Sequence, residues 1–385
     1  MGEASGRGSG GLAGALVGRP LAEGRFAEAE REKLVERALE LADEVAARVR
    51  VPWSARRRAS RLDRLVTSPG GLDFTVALTD QVARIAGGRR SVARLRSLVS
   101  EDGPPSFAGT LDRLGLKAGL VAGSVVPGVV ADLVRARVRQ ESASIVLRAG
   151  DRRMARHSAR RAAEGIDLNY NILGEAILGQ EAADERRDQI VHLCRLGFVD
   201  YVSVKASAVC PRISAYAFDD SLARVTAGLR PILVAAVARR PAVFVNLDME
   251  EYRDLELTLT AFRALLEEPA LAGMDAGIVL HAYLPESHAA LEDLAGWARR
   301  RYSETGGTTR VRLVKGANLG MELVEAELHG WVAATYPTKA DVDVSYKRLV
   351  ERALDPSWGP GLRVGLASHN LFDVAWGLVV AADLG

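Results

Sequence analysis

Between Phe26 and Arg50 the apolar residues Leu34, Val35, Ala38, Leu41, Ala42, Val45 and Val49 recur at steps of three and four. That spacing gathers them on one face of a helix and predicts an amphipathic N-terminal arm. Helical patterning continues through Leu78 to Ile85 and Val92 to Val99, then the Pro104-Pro105 break leads into an apolar segment before Arg135. Residues 21–150 therefore read as an α-helical arm and helical domain, behind a mobile Gly/Ser/Arg tail at 1–20 that lacks the sustained apolar core of a signal peptide. The longest uncharged apolar stretch, Ala118 to Ala131, is broken by Ser124 and Pro127-Gly128. It falls short of the ~20 residues needed to span a bilayer and predicts a buried helix pair. The basic run Arg152, Arg153, Arg156, Arg160 and Arg161 has helical spacing and reads as a solvated face rather than a phosphate site.

After Gly165 the period changes. Six short runs rich in apolar and β-branched residues, at 168–173, 201–204, 242–247, 277–280, 311–314 and 363–366, alternate with helix-length amphipathic segments. Repeated βα units imply a parallel sheet, either an open doubly wound sheet or a (β/α)8 barrel. Each run ends on a polar group or a glycine: Gly174-Glu175, Lys205, Asp248, His281 with Tyr283, Lys315-Gly316, and Ser368-His369-Asn370. A barrel mouth collects one contribution from every strand, whereas an open sheet concentrates its site at one switch point. With no GxGxxG after the first strand, the expected fold is an α/β, TIM-like (β/α)8 barrel over 151–385. Six strands are two short of eight, so the chain is expected to be a fragment of a longer protein.

Composition narrows the class. Hydrophobic residues at 48% and charged residues at 26% fit a globular chain with a large core. The 51 Lys+Arg against 49 Asp+Glu leave a formal charge of +2, so nucleic acid is not an expected partner. Cys194 and Cys210 are too few for a disulfide scaffold or a four-cysteine zinc site and suit a reducing cytoplasm. Cys194 falls in a helical segment and reads as core packing. Only six lysines occur, so basic positions have drifted to Arg almost everywhere that either would serve, and a surviving lysine points to a place that Arg cannot fill.

Three of those lysines fall at the predicted mouth. Lys205, Asp248, Arg312, Lys315, Lys339 and His369 together would suit an anionic ligand. Other readings stay open: Lys205 and Asp248 as a structural ion pair on adjacent strands, His281, His369 and Asp248 as metal ligands, or another barrel enzyme with a metal or phosphate site. A noncatalytic assembly module that keeps the barrel sequence is a further alternative.

The segments Leu173-Gly174-Glu175-Ala176, Val202-Ser203-Val204-Lys205 followed by Pro211-Arg212, Asn246-Leu247-Asp248-Met249-Glu250-Glu251, Ala282-Tyr283-Leu284, Val311-Arg312-Leu313-Val314-Lys315-Gly316-Ala317, Asp343-Val344-Ser345-Tyr346 and Ser368-His369-Asn370 carry a family resemblance. In this order they resemble proline dehydrogenase, and in particular the proline dehydrogenase part of bacterial bifunctional proline utilisation proteins, over about Asp151 to Gly385. The resemblance implies FAD at the barrel mouth, oxidation of L-proline to Δ1-pyrroline-5-carboxylate, and electron transfer to a membrane quinone. It further implies an aldehyde dehydrogenase domain on the natural chain, peripheral contact with the inner face of the membrane, and compatibility with a homo-oligomer. By position, Lys205 would pair with the proline carboxylate, Arg312 would lie near the flavin with Asp248 as its acidic neighbour, and Glu175 would belong to a gate. His281, Arg312, Val314, Gly316, Lys339, Ser368, His369 and Asn370 would contact FAD. Gly316 also makes sense independently, since a missing side chain permits close approach of a cofactor. His281 replaces the family's usual glutamine, which predicts a flavin potential that varies with pH. Asn318-Leu319 replaces an aromatic pair beside the substrate, and an Arg pair that the family brings to the substrate on its last helix is not in the sequence.

Overall fold

The computed structural model describes residues 21–50, 87–102, 110–142, 150–172 and 177–385 throughout, with interleaved positions between 53 and 85. Two compact units form: one from residues up to Arg48 together with Ala155–Gly385, the other from Val49–Met154. The sequence grouped the arm with the helices that follow it. In the structure helix α1 (Glu28–Arg48) instead belongs to the unit that holds the sheet.

In the unit 49–154, helices α2 (Gly71–Ala77), α3 (Gly88–Asp102), α4 (Thr110–Ala122) and α5 (Pro127–Ser142) enclose a small core of Phe74, Val82, Leu95 and Leu98. The expected helix pair at 118–131 forms, but it is not a buried one. Val130 and Ala131 are buried while Val121, Val125 and Val129 face outward, because the apolar run is longer than the one stripe that the packing against α3 can cover. Helix α6 (Asp151–Ala163) crosses the boundary and exposes Arg152, Arg153, Arg156 and Arg160.

Among the described residues the larger unit is built on six parallel strands in sequential order, β1 (Tyr170–Asn171), β2 (Tyr201–Lys205), β3 (Phe244–Asp248), β4 (Ala276–His281), β5 (Thr309–Val314) and β6 (Leu362–Ala367). A doubly wound sheet would reverse its order at a switch point, whereas the observed order is that of consecutive staves of a (β/α)8 barrel. Among the described residues β1 and β6 each have one strand neighbour. Connecting helices are α7 (Gln180–Arg195), α8 (Ala206–Val209), α9 (Phe218–Ala238), α10 (Leu255–Leu266), α11 (Ser287–Thr305), α12 (Leu319–His329), α13 (Lys339–Ala353) and α14 (Leu371–Leu384).

Side chains alternate across each strand. Val202, Val204, Val245, Leu247, Ile278, Leu280, Val311 and Leu313 point to the helical layer and are essentially inaccessible, forming one core with the helices. α9 has the length and apolarity to cross a membrane, but its Val225, Leu229, Ile232 and Leu233 are buried in this core. The arm closes the unit from outside. Leu34 and Ala38 are buried, Arg31 reaches both oxygens of the fully buried Glu351 at 3.2 and 3.3 Å, and Arg37 pairs with Asp383 at 2.9 Å. Cys194 lies in α7 in the same core, where burial pushes its thiol up to about 11 and leaves it unreactive at neutral pH.

Candidate functional site

The opposite face of the sheet is polar. Register places Ser203 beside Asn246, Lys205 beside Asp248, and Val279 beside Arg312. Asp248 and Arg312 are separated by β4, which places Gly277 and Val279 on this face below His281, with Val279 in register with Arg312. These small side chains let the guanidinium Nη2 reach across to Asp248 Oδ1 as an ion pair. Asn246 and Asn171 donate to the same carboxylate at 2.9 and 3.2 Å, and Arg312 Nη1 and Asn169 both donate to the Ser203 hydroxyl, at 3.5 and 2.8 Å. Burial pushes the Asp248 carboxyl above its ordinary range, and the neighbouring Arg312 opposes that shift. Among the described residues Arg312 Nε is buried with no partner, so one donor of the fork is unused there.

Lys205 does not pair with Asp248. Its ammonium donates to Glu250 Oε1 at 2.6 Å, and the Ser207 hydroxyl takes the other oxygen of Glu250. The cross-strand neighbour is lost as a partner because Asp248 is already held by Arg312 and two amides. Asn318, standing where an aromatic was expected, donates to the Glu250 backbone carbonyl at 2.9 Å and ties the β5–α12 turn to the segment after β3. Asn171, Arg186, Ser203, Lys205, Ser207 and Glu250 line a narrow pocket here.

On β4 and β5 the backbone runs on past the ladder, with Ala282 N donating to Val314 O at 2.7 Å and Tyr283 N to Lys315 O at 2.8 Å. These bonds press the Tyr283 ring onto Gly316, whose φ is 140° and where a Cβ would lie 2.6 Å from the ring. The missing side chain at Gly316 therefore makes room for the Tyr283 ring. Tyr283 Oη donates to Glu322 at 3.2 Å, and burial with that carboxylate beside it pushes its hydroxyl well above the usual tyrosine range.

His281 is buried, and burial lowers its imidazole to about 4. It is neutral through the physiological range, so it does not supply the pH-dependent charge expected at this position. His288 on α11, bonded to Ser345 at 3.0 Å, is likewise lowered to about 4, mainly by burial. Both folded values lie below the ordinary 6.5, so the stability their neutral forms contribute is intact above that pH and is lost as pH falls toward 4. The melting temperature should decline between pH 6.5 and 5, before most carboxylates titrate, and His288→Gln should flatten that decline. A melting temperature that is constant over the window would contradict it.

Three of the six lysines converge on two carboxylates further round the mouth. Lys339 donates to Asp343 at 2.7 Å, Lys315 pairs with both Asp343 and Asp373 (2.7 Å to the latter), and Lys347 reaches Asp373 at 3.5 Å. Hydrogen bonds from Lys315 hold the Asp343 carboxyl below its usual range despite some burial, and the two carboxylates raise the Lys315 ammonium against its own burial. Ser368 donates to the fully buried Asp373 at 2.7 Å, and Asn370 caps α14 by accepting from Phe372 N at 2.9 Å. His369 is exposed between them. Of the expected site residues, Lys205, Asp248, Arg312, His281 and Val314 thus stand at strand ends β2 to β5, while Lys339, Ser368, His369 and Asn370 edge the β6 side. Glu175 lies outside the described residues. Among the described residues no group of three or more His, Cys, Asp or Glu gathers that could hold a metal.

The family model for proline dehydrogenase matches residues 154–385. The chain belongs to the proline dehydrogenase family. It is 31% identical over 231 residues to proline dehydrogenase of Deinococcus radiodurans, covering 58% of this chain and 63% of that one. It is 32% identical over 210 residues to the bifunctional protein PutA of Escherichia coli, covering 50% of this chain and only 15% of that protein. Among solved structures, proline utilization A from Corynebacterium freiburgense is 40% identical with a TM-score of 0.61, covering 73% of this chain and 28% of the other. Proline utilization A from Bdellovibrio bacteriovorus shares the fold with a TM-score of 0.71 at 23% identity, covering 92% of this chain and 36% of that one. The polar ladder of Asn169, Asn171, Ser203 and Asn246, the Glu250–Ser207 partners of Lys205, and the Asp373 hub are site features that the sequence reading missed. Period-two polarity in Tyr201-Ser203-Lys205 and Phe244-Asn246-Asp248 was the available signal for the first of these.

Proposed function

We propose that this chain carries the FAD-dependent oxidation of L-proline to Δ1-pyrroline-5-carboxylate, with electrons passed to a membrane quinone, as the first step of proline catabolism to glutamate. The observation that carries the reading is the Arg312–Asp248 pair at the strand ends, trussed by Asn246, Asn171 and Ser203. A cationic donor this rigid, with an unused buried Nε–H and the neutral imidazole of His281 nearby in register, suits an electron-rich heterocycle. The ammonium, hydroxyl, imidazole and amide of Lys339, Ser368, His369 and Asn370 suit the phosphate and sugar parts of a dinucleotide. The donor set therefore fits FAD, which when bound accepts a hydride equivalent from C5 of the proline ring.

The chain's own residues position and hold charge. Lys205 takes the substrate carboxylate and so fixes the ring in one orientation, which is where most of the catalytic gain of such a site arises. Asp248 keeps Arg312 in place, and Tyr283, clamped between Gly316 and Glu322, forms a rigid floor at the β4–β5 end. In this role the natural protein works in the cytoplasm, touching the inner face of the membrane to meet the quinone, with an aldehyde dehydrogenase domain on the same chain to consume the product. In its natural full length the purified protein should be yellow, bleach anaerobically with L-proline, and reduce a soluble quinone analogue. A folded, colourless protein that ignores proline would overturn the reading.

A further inference from the structure

The helices of unit 49–154 carry a feature that the strand-end site does not use. From Ala118 to Ala131 no residue is charged, and this run forms the end of α4, the turn after it and the start of α5. Val130 and Ala131 are buried in the packing, whereas Val121, Val125, Val126 and Val129 are 45–82% exposed and Leu133 is exposed one turn further along α5. The outward positions 125, 129 and 133 fall at four-residue steps, so the hairpin tip presents an apolar edge rather than scattered side chains.

The charge around that edge is positive. Gly88 at the start of α3 meets the start of α5 backbone to backbone, and a Cβ on Gly88 would lie 2.6 Å from Gly128 Cα. The positive ends of two helices therefore meet beside Val125, Val126 and Val129. Arg89 and Arg90 follow directly on Gly88, both exposed and without a partner among the described residues. The first acid beyond the uncharged run, Asp132, is already matched by Arg135 at 2.8 Å. Residues 49–154 as a whole hold 19 Lys+Arg against 9 Asp+Glu.

This combination selects among partners. A bilayer offers acyl chains to aliphatic side chains and, just above them, phosphates to arginines and helix N-termini. A nucleic acid offers the phosphates but nothing for a row of exposed valines.

We propose that the α4–α5 tip, with Arg89 and Arg90 beside it, is a docking surface for an anionic phospholipid bilayer. This deepens the proposed function, on which the quinone in that bilayer rests, by naming the surface that would hold the protein there.

The test is co-sedimentation of the natural full-length protein with vesicles of phosphatidylcholine, with and without phosphatidylglycerol. Wild type should partition onto the phosphatidylglycerol vesicles and leave them as salt is raised. Arg89→Gln with Arg90→Gln should lower that partition about tenfold or more, because each basic side chain near an anionic surface adds to the attraction. Val125→Ser with Val129→Ser should lower it by about tenfold without changing any charge, and all four positions are exposed, so the fold should tolerate both double variants. Partition equal to wild type in both folded variants overturns the inference. So does a wild type that ignores vesicles and binds a random DNA duplex through the same arginines. The functional reading is judged separately. Both variants should still bleach with L-proline and reduce a soluble quinone analogue at the wild-type rate, and should slow only with a quinone embedded in the vesicles. If proline is oxidised while vesicle binding ignores the substitutions, only the docking surface falls. If binding follows the substitutions in a protein that does not oxidise proline, the surface stands and the proline reading alone is lost.

Discussion

Arg312→Met should lower proline kcat/KM by at least about a hundredfold, the size of effect seen when one preorganised charge-stabilising donor is removed. It should also destabilise the fold. Asp248 then loses its cation in a position where burial already disfavours the charged carboxylate. Breaking a fully buried pair costs about 3–5 kcal/mol, and the residual exposure of both side chains with the amides of Asn246 and Asn171 in place brings the expectation to about 2 kcal/mol. The pH dependence has a definite sign. Losing Arg312 raises the folded-state value of Asp248 further above the unfolded one, so the added cost is full at neutral pH and disappears once pH falls below the ordinary carboxylate value. Chemical unfolding of wild type and variant at pH 7 and near pH 4 measures this, and a stability gap of the same size at both would show that Asp248 is not the group left unpaired. Arg312→Lys should recover little, because one ammonium cannot serve Asp248 and Ser203 together across β4.

That pair shows what a sequence can and cannot convey about such a site. Strand positions were legible because apolar runs of fixed length between amphipathic helices have few other realisations, and all six fall on observed strands. Which carboxylate meets which cation was not legible. Lys205 and Asp248 are in register, yet the partner of Asp248 comes from two strands away because Gly277 and Val279 leave room above β4. The choice depends on side-chain volume on an intervening strand, and charge pattern does not report it. At Gly316 the need of an aromatic ring thirty-odd residues earlier in the chain for the same space was not legible either. His281 was read by its ordinary titration, whereas the strand it ends is inaccessible along its whole length. Total charge misled by averaging: residues 49–154 hold 19 Lys+Arg against 9 Asp+Glu and the remainder 32 against 40, so the near-neutral sum describes neither part.

Lys205→Met should lower proline kcat/KM by about tenfold to more than a hundredfold, as expected from losing one charge-assisted contact of roughly 1.5–3 kcal/mol. Flavin content should hold, since neither Lys205 nor its partners Glu250 and Ser207 lie on the β6 side of the mouth. The structural cost should be small. Lys205 and Glu250 are both a quarter or more exposed, and exposed pairs contribute about 0–1 kcal/mol, so freed Glu250 can keep Ser207 and turn to water. This separates two roles that the sequence left open. A lysine that only neutralised a buried Asp248 would, when removed, depress the melting temperature and flavin retention together. Here Arg312 performs that neutralisation, so kinetics and stability should part company: a large loss in kcat/KM, most of it in KM, at nearly unchanged melting temperature and flavin occupancy. Steady-state rates with L-proline, flavin absorbance and thermal melting on one preparation decide it. Unchanged proline kinetics would remove Lys205 from the substrate site.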